Sequence, residues 1–309
     1  MPDAAPGSTP DPLRFPPPPA DYEWRRGKAP RTTPEVPDSW ARAASEVALG
    51  HTELRRDSMP LDGPTEDGSP PPVGSGFQRQ DLFRVFGIAS AVFIVLFLLG
   101  VGAFTALTDD PSENVETVGI SLIVIMADLA ALVVVPIVLL GGRARASALL
   151  GLRRPGWAVL GWGFLALIGS YIALGVYLGI VDAIGADALE PVSTVDRDES
   201  FTIAAAVIQG IAVILVAPFA EEIFHRGFMA GAIQGIWGRG AGTVAAVVIS
   251  AALFSVLHFD VGSLIPFFLI GAIFALVHLR SRNLYSSILA HLAFNLISFT
   301  VFVADQGIA

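Results

Sequence analysis

Residues 201–230 read FTIAAAVIQGIAVILVAPFAEEIFHRGFMA. The first half is apolar for long enough to enter a bilayer. The second half then sets Glu221, Glu222, His225 and Arg226 into the same run. A charged side chain deep in a membrane costs roughly 2.5–3.5 kcal/mol even on lenient insertion scales. A segment that carries four ionisable groups at that depth is therefore a place to look for chemistry. Working outward, further apolar stretches lie near 84–107, 118–140, 157–183, 241–258, 263–279 and 285–304, with 202–220 inside the quoted run. Each is long enough, or nearly so, to cross about 30 Å of hydrocarbon. Backbone groups in lipid must be satisfied within their own segment, so these are helices. The reading is an all-α polytopic membrane protein of about seven or eight transmembrane helices. Residues 202–238 exceed one crossing, and Pro218 offers a break, which leaves the count open between seven and eight.

Composition supports this. The 309 residues are 53% hydrophobic and only 15% charged, too apolar for an ordinary soluble domain. A net charge of -9 speaks against a nucleic-acid partner, which would call for a basic face. Cysteine is absent, which removes disulfides, thiolate catalysis and Cys-ligated zinc. Residues 1–80 hold 16 of the 22 prolines and are expected to be a disordered, Pro-rich cytoplasmic tail, with a transient helix over 39–56. The helical transmembrane domain follows over 81–305.

Connections alternate in charge. Arg79 and Arg84, then Arg143, Arg145, Arg153 and Arg154, then Arg226 and Arg239, then Arg280 and Arg282 mark one side. Asp109, Asp110, Glu113 and Glu116, then Asp187, Glu190, Asp196, Asp198 and Glu199 mark the other. The positive-inside rule places the N-terminus in the cytoplasm of a multi-pass protein of the plasma (inner) membrane.

Three polar clusters follow one another in the second half: Glu221-Glu222-Ile-Phe-His225-Arg226, Phe254-Ser-Val-Leu-His258 and His291-Leu-Ala-Phe-Asn295. Glu222 and Arg226 are spaced i, i+4 with the acid first, the favourable order for a pair. Glu221 is turned about 100° away and stays free to react. His291 and Asn295 share one helix face, and Phe254 can wall a pocket behind His258. A carboxylate, two imidazoles and an amide suit attack of water on an amide bond, with the carboxylate as base and the donors stabilising the oxyanion. No serine offers a comparable nucleophile; Ser255 reads as a helix-packing hydroxyl. Glu221, His258 and His291 could also hold a zinc with one position open for water. His225 and His278 read as membrane-surface residues beside arginines, and Asp128 as an isolated acid that is protonated or bonded to a neighbouring helix. A proton-coupled transporter and a non-catalytic scaffold or immunity protein are the readings that compete with a peptidase.

The ordered set EEIFHR, FSVLH and HLAFN resembles the CPBP family, the CAAX-type prenyl-protein proteases and Abi-type bacteriocin-processing or immunity proteins. The resemblance covers roughly residues 200–300. It implies an intramembrane endopeptidase acting on a membrane-associated peptide or protein, with the lipid bilayer as its other partner. By that likeness Glu221 is the general base and His258 helps to hold the attacking water. His291 and Asn295 form the oxyanion site, and Glu222, Arg226 and Phe254 shape the pocket. His225 departs from the family pattern, which has an aromatic or aliphatic residue there. The resemblance also favours a glutamate mechanism with no cofactor, zinc being the alternative.

Overall fold

In the computed structural model, residues 73–186, 189–191, 200–258 and 260–308 are described. The Pro-rich tail as far as residue 72, with the helix expected over 39–56, lies outside them. Seven apolar helices and one short connecting helix make up the described part. They are α1 (Arg79–Leu107), α2 (Glu113–Leu139), the short α3 (Arg143–Leu149), α4 (Trp157–Ile184), α5 (Ile203–Trp237), α6 (Ala241–Val256), α7 (Leu264–Ser281) and α8 (Tyr285–Gln306). Six are long and apolar enough to cross a membrane; α6, with 16 residues, is shorter. The break that Pro218 offered is not made, because α5 runs as one helical path through the proline. Seven apolar helices result, and no eighth arises among the described residues.

Outward faces carry the apolar side chains that a bilayer would solvate. Leu160, Phe164, Leu165 and Ile172 on α4 and Ile94, Leu98 and Leu99 on α1 are all exposed. The inner faces are built from small and aromatic residues, so helices approach closely by van der Waals packing, the main attraction left once lipid replaces water. Helices α6 and α7 form a hairpin, and α4 and α8 flank α7.

Two helices change register. Leu129–Val134 in α2 and Ile211–Val216 in α5 are π-helical, and each run ends just before a proline, Pro136 and Pro218. A proline ring clashes with the preceding turn and brings no N–H. A wider i→i+5 turn relieves both problems without ending the helix. A second π run, Glu222–Ala230, follows in α5 and carries the ionisable cluster.

The bundle begins by Val73, earlier than the change in composition near residue 81. Val73 and Phe77 are buried, the Val73 N–H donates to Gln234 Oε1 at 3.2 Å, and Phe77 packs edge-on against Phe228. Proline content marked residues 70–80 as tail, but two apolar side chains suffice to dock this strap on α5. The crossing is tight. Gly74 has φ +71°, and a Cβ on Gly235 would lie 1.9 Å from the Gly74 carbonyl oxygen. Gly235→Ala is therefore expected to cost about 1–3 kcal/mol by overpacking and to lower the melting temperature of detergent-purified protein. Gly102→Ala, which meets no atom within 4 Å, should leave that temperature unchanged or raise it.

Candidate active site

The ionisable cluster of α5 lies midway along the helix, and its members separate by direction. Glu222 and Arg226 are fully buried and paired, Arg226 Nη1 standing 2.9 Å from Glu222 Oε1. The same oxygen lies 3.0 Å from His291 Nδ1 on α8. One carboxylate oxygen thus holds a guanidinium from its own helix and an imidazole from another. The guanidinium also lies over the Phe254 ring, 4.1 Å from its centroid, where the negative face of the ring attracts it. The sequence-predicted pair is present, and it fixes His291 as well.

Glu221 points elsewhere. Its side chain is 21% exposed and lines a cavity of about 680 Å³ together with Phe254, His258, His291 and Asn295. Glu221 Oε2 is 3.9 Å from His291 Nε2, too far for a direct hydrogen bond and near enough for one water to touch both. His258 Nδ1 is bonded at 2.8 Å to the Phe254 carbonyl, which leaves its other nitrogen for the cavity. The Phe254 ring lies edge-on to three imidazoles, with centroids 4.8 Å from His258, 5.5 Å from His225 and 5.7 Å from His291. It forms the wall that the i, i+4 spacing suggested. Glu221 lies on α5, and His258 lies just past the end of the next helix, α6. They meet because Glu221 sits at mid-helix and the short α6 stops at the same depth.

Asn295 Nδ2 donates to the Val213 carbonyl at 2.7 Å. In the π register of residues 211–216 the Ala217 N–H reaches Ala212 O. The next donor along is residue 218, a proline with none. Val213 is the acceptor left over, and the Asn295 amide takes it. One amide hydrogen of Asn295 is engaged in this way, and the residue also lines the cavity.

Sequence reasoning misplaced two histidines. His225 is 2% exposed rather than interfacial; its Nδ1 bonds to the Glu221 carbonyl at 3.0 Å, and Ser250 Oγ donates to the His225 carbonyl. His278 is fully buried, with its ring against Gly151. An arginine nearby in sequence suggested a membrane surface, but the helix face turns both rings inward, and Arg226, counted with the charges of that surface, is itself fully buried. Ser255 behaves as expected, its hydroxyl donating to the Leu264 carbonyl and tying α6 to α7. Asp128 was passed over because no partner accompanies it at helical spacing. It is 4% exposed, and its turn of α2 packs against the turn carrying Glu221, near enough for their charges to interact. The one signal for it in the sequence was its cost.

Among the described residues no three His, Cys, Asp or Glu side chains are arranged to hold a metal ion. Glu221, His258 and His291 share a cavity without forming a metal-binding group, so this arrangement does not fit zinc.

Removing one member of a buried pair strands the other charge at a cost of about 3–5 kcal/mol. Arg226→Met is therefore expected to lower thermal stability steeply. Adding Glu222→Gln to Arg226→Met should restore a large part of it, a non-additivity readable from the four melting temperatures of the double-mutant cycle.

Residues 203–297 match a family model described as Rce1-like, Type II CAAX prenyl endopeptidase Rce1-like. No curated protein and no solved structure matches the chain significantly. The matched stretch runs from the start of α5 to the middle of α8 and contains all three polar clusters and the cavity they line. The chain is an integral membrane protein whose residues 203–297 match the Rce1-like model of the type II CAAX prenyl endopeptidases, a match consistent with the CPBP family of intramembrane proteases.

Proposed function

We propose that the protein is an intramembrane endopeptidase that hydrolyses a peptide bond in a membrane-associated peptide or protein, using water activated by Glu221. The observation that carries this reading is the division of labour between adjacent glutamates. Glu222 is spent on Arg226 and His291, whereas Glu221 faces the cavity and keeps its oxygens free.

In this reading the water stands between Glu221 Oε2 and His291 Nε2, with the free nitrogen of His258 as its third contact. Glu221 takes a proton as the water oxygen bonds to the scissile carbonyl carbon. The carbonyl oxygen becomes an oxyanion. The second amide hydrogen of Asn295 meets it, as does His291 when its Nε2 carries a hydrogen. Glu222 fixes the ring by accepting from Nδ1–H, so donation at Nε2 calls for the imidazolium, which two neighbouring carboxylates compensate. Glu221 then passes its proton to the leaving amine as the C–N bond breaks. Phe254 keeps water away from the back of both imidazoles. The membrane is the plasma (inner) membrane, with the N-terminus cytoplasmic.

Glu221→Gln removes the base while keeping shape and is expected to reduce cleavage of membrane-tethered peptides by about 100-fold or more. Its melting temperature should stay near that of the unaltered protein. His258→Ala should lose a comparable factor. Full cleavage by both variants would defeat the assignment. Purified active protein is expected to work without bound metal, and one tightly held zinc per chain, removed together with activity by a chelator, would overturn that.

A further inference from the structure

The cavity has a direction. From Glu221 at mid-helix it extends along the N-terminal half of α5 past Gln209, along the C-terminal half of α4 past Leu178, and along the C-terminal half of α8 past Ser298 to Phe302. It ends at Pro191 in the connection before α5 and at Ser263 before α7. These points belong to one end of the bundle. Tyr177 O–H reaches both Leu189 O and Gly262 O, the Phe201 N–H donates to Gly307 O, and Asn114 spans to Ser200 O and Thr202 N–H. No lining residue comes from the opposite end, where Asn283 bonds to Arg153 O and Leu284 to Gly151 O.

The two ends carry opposite charge. The described residues of the cavity end include Asp109, Asp110, Glu113 and Glu116, then Asp182 and Glu190, then Asp260 and Asp305, and no lysine or arginine. The other end holds the arginines at 79, 84, 143, 145, 153, 154, 239, 280 and 282, with Asp81 as its acid. Arginine-rich connections stay in the cytoplasm. The mouth is therefore on the far side. Glu190 adjoins Pro191 at the rim, and Asp260 accepts from the Gly262 N–H beside Ser263. Within the passage Gln209 Oε1 is buried without a partner, an acceptor placed for a peptide N–H.

We propose that the site opens on the extracytoplasmic face of the membrane and takes a peptide segment with basic flanking residues presented from that side. The substrate half rests on the peptidase reading above; the direction of the mouth does not. An acid-rimmed cleft concentrates cations and repels acids.

The chain has no cysteine, so single substitutions report accessibility directly. Full-length Ser298→Cys, Asp109→Cys and Ala148→Cys variants, in the inner membrane of a bacterial host, would be exposed to a membrane-impermeant maleimide in intact spheroplasts and in inverted vesicles. Ser298→Cys in the cavity is expected to follow Asp109→Cys, reacting in spheroplasts, while Ala148→Cys reacts in inverted vesicles. Ser298→Cys reacting with Ala148→Cys, or from neither side, would overturn the proposal. So would Asp109→Cys reacting from the cytoplasmic side. In parallel, detergent-solubilised protein would be given a peptide library whose flanks carry lysine or glutamate. Cleavage is expected to favour lysine flanks by on the order of tenfold and less at high salt; equal cleavage would remove the substrate half. Cleavage of no peptide at all would count against the peptidase reading, while the labelling would still decide the mouth.

Discussion

A single carboxylate oxygen organises this bundle. Glu222 Oε1 receives a guanidinium from one turn further along α5 and an imidazole from α8, in a place from which lipid and water are both excluded. Desolvating these charges is costly, and the attraction between them offsets that cost only in good geometry. The arrangement therefore tolerates little displacement: α5 cannot rotate without breaking the contacts of Glu222 with His291 and of Arg226 with the Phe254 ring, and α8 cannot slide without breaking the His291 contact. Glu221 inherits its direction from that constraint. It is the next residue on a helix whose rotation has already been set.

The prolines and the π turns work with the same constraint. Pro218 forces a wide turn immediately before the glutamates and leaves Val213 with an unclaimed carbonyl. Asn295 claims it from one turn beyond His291 on α8. Two polar bonds one helical turn apart therefore join α5 and α8, one on each side of the Glu221 turn. The irregular backbone beside the glutamates is thus part of how the second helix is held in register.

Much of this was legible in the sequence because helical spacing is a geometric statement. The Glu222–Arg226 pair, the Phe254–His258 wall and the shared face of His291 and Asn295 all follow from i, i+4 intervals, and the apolar lengths set the helix count. What escaped was whatever depends on neighbours distant in the chain. His225 and His278 looked interfacial because arginines are close in sequence, while burial is decided by which face meets α6 or α3. Asp128 had no local partner, since the group it faces is ninety-odd residues away in α5. The docked strap at Val73 was hidden by proline-rich surroundings, and the depth of His258 could not be fixed until the reach of α6 was known.

That reach bears on solvation. Sixteen residues rise about 24 Å, short of the roughly 30 Å of hydrocarbon that the neighbouring helices traverse. A bilayer meets such a mismatch by thinning where the helix falls short. The dimple forms over the turn that carries His258, so the aqueous phase dips toward the carboxylate of Glu221, and hydration of a reaction centre set amid lipid follows from one helix being about one turn too brief.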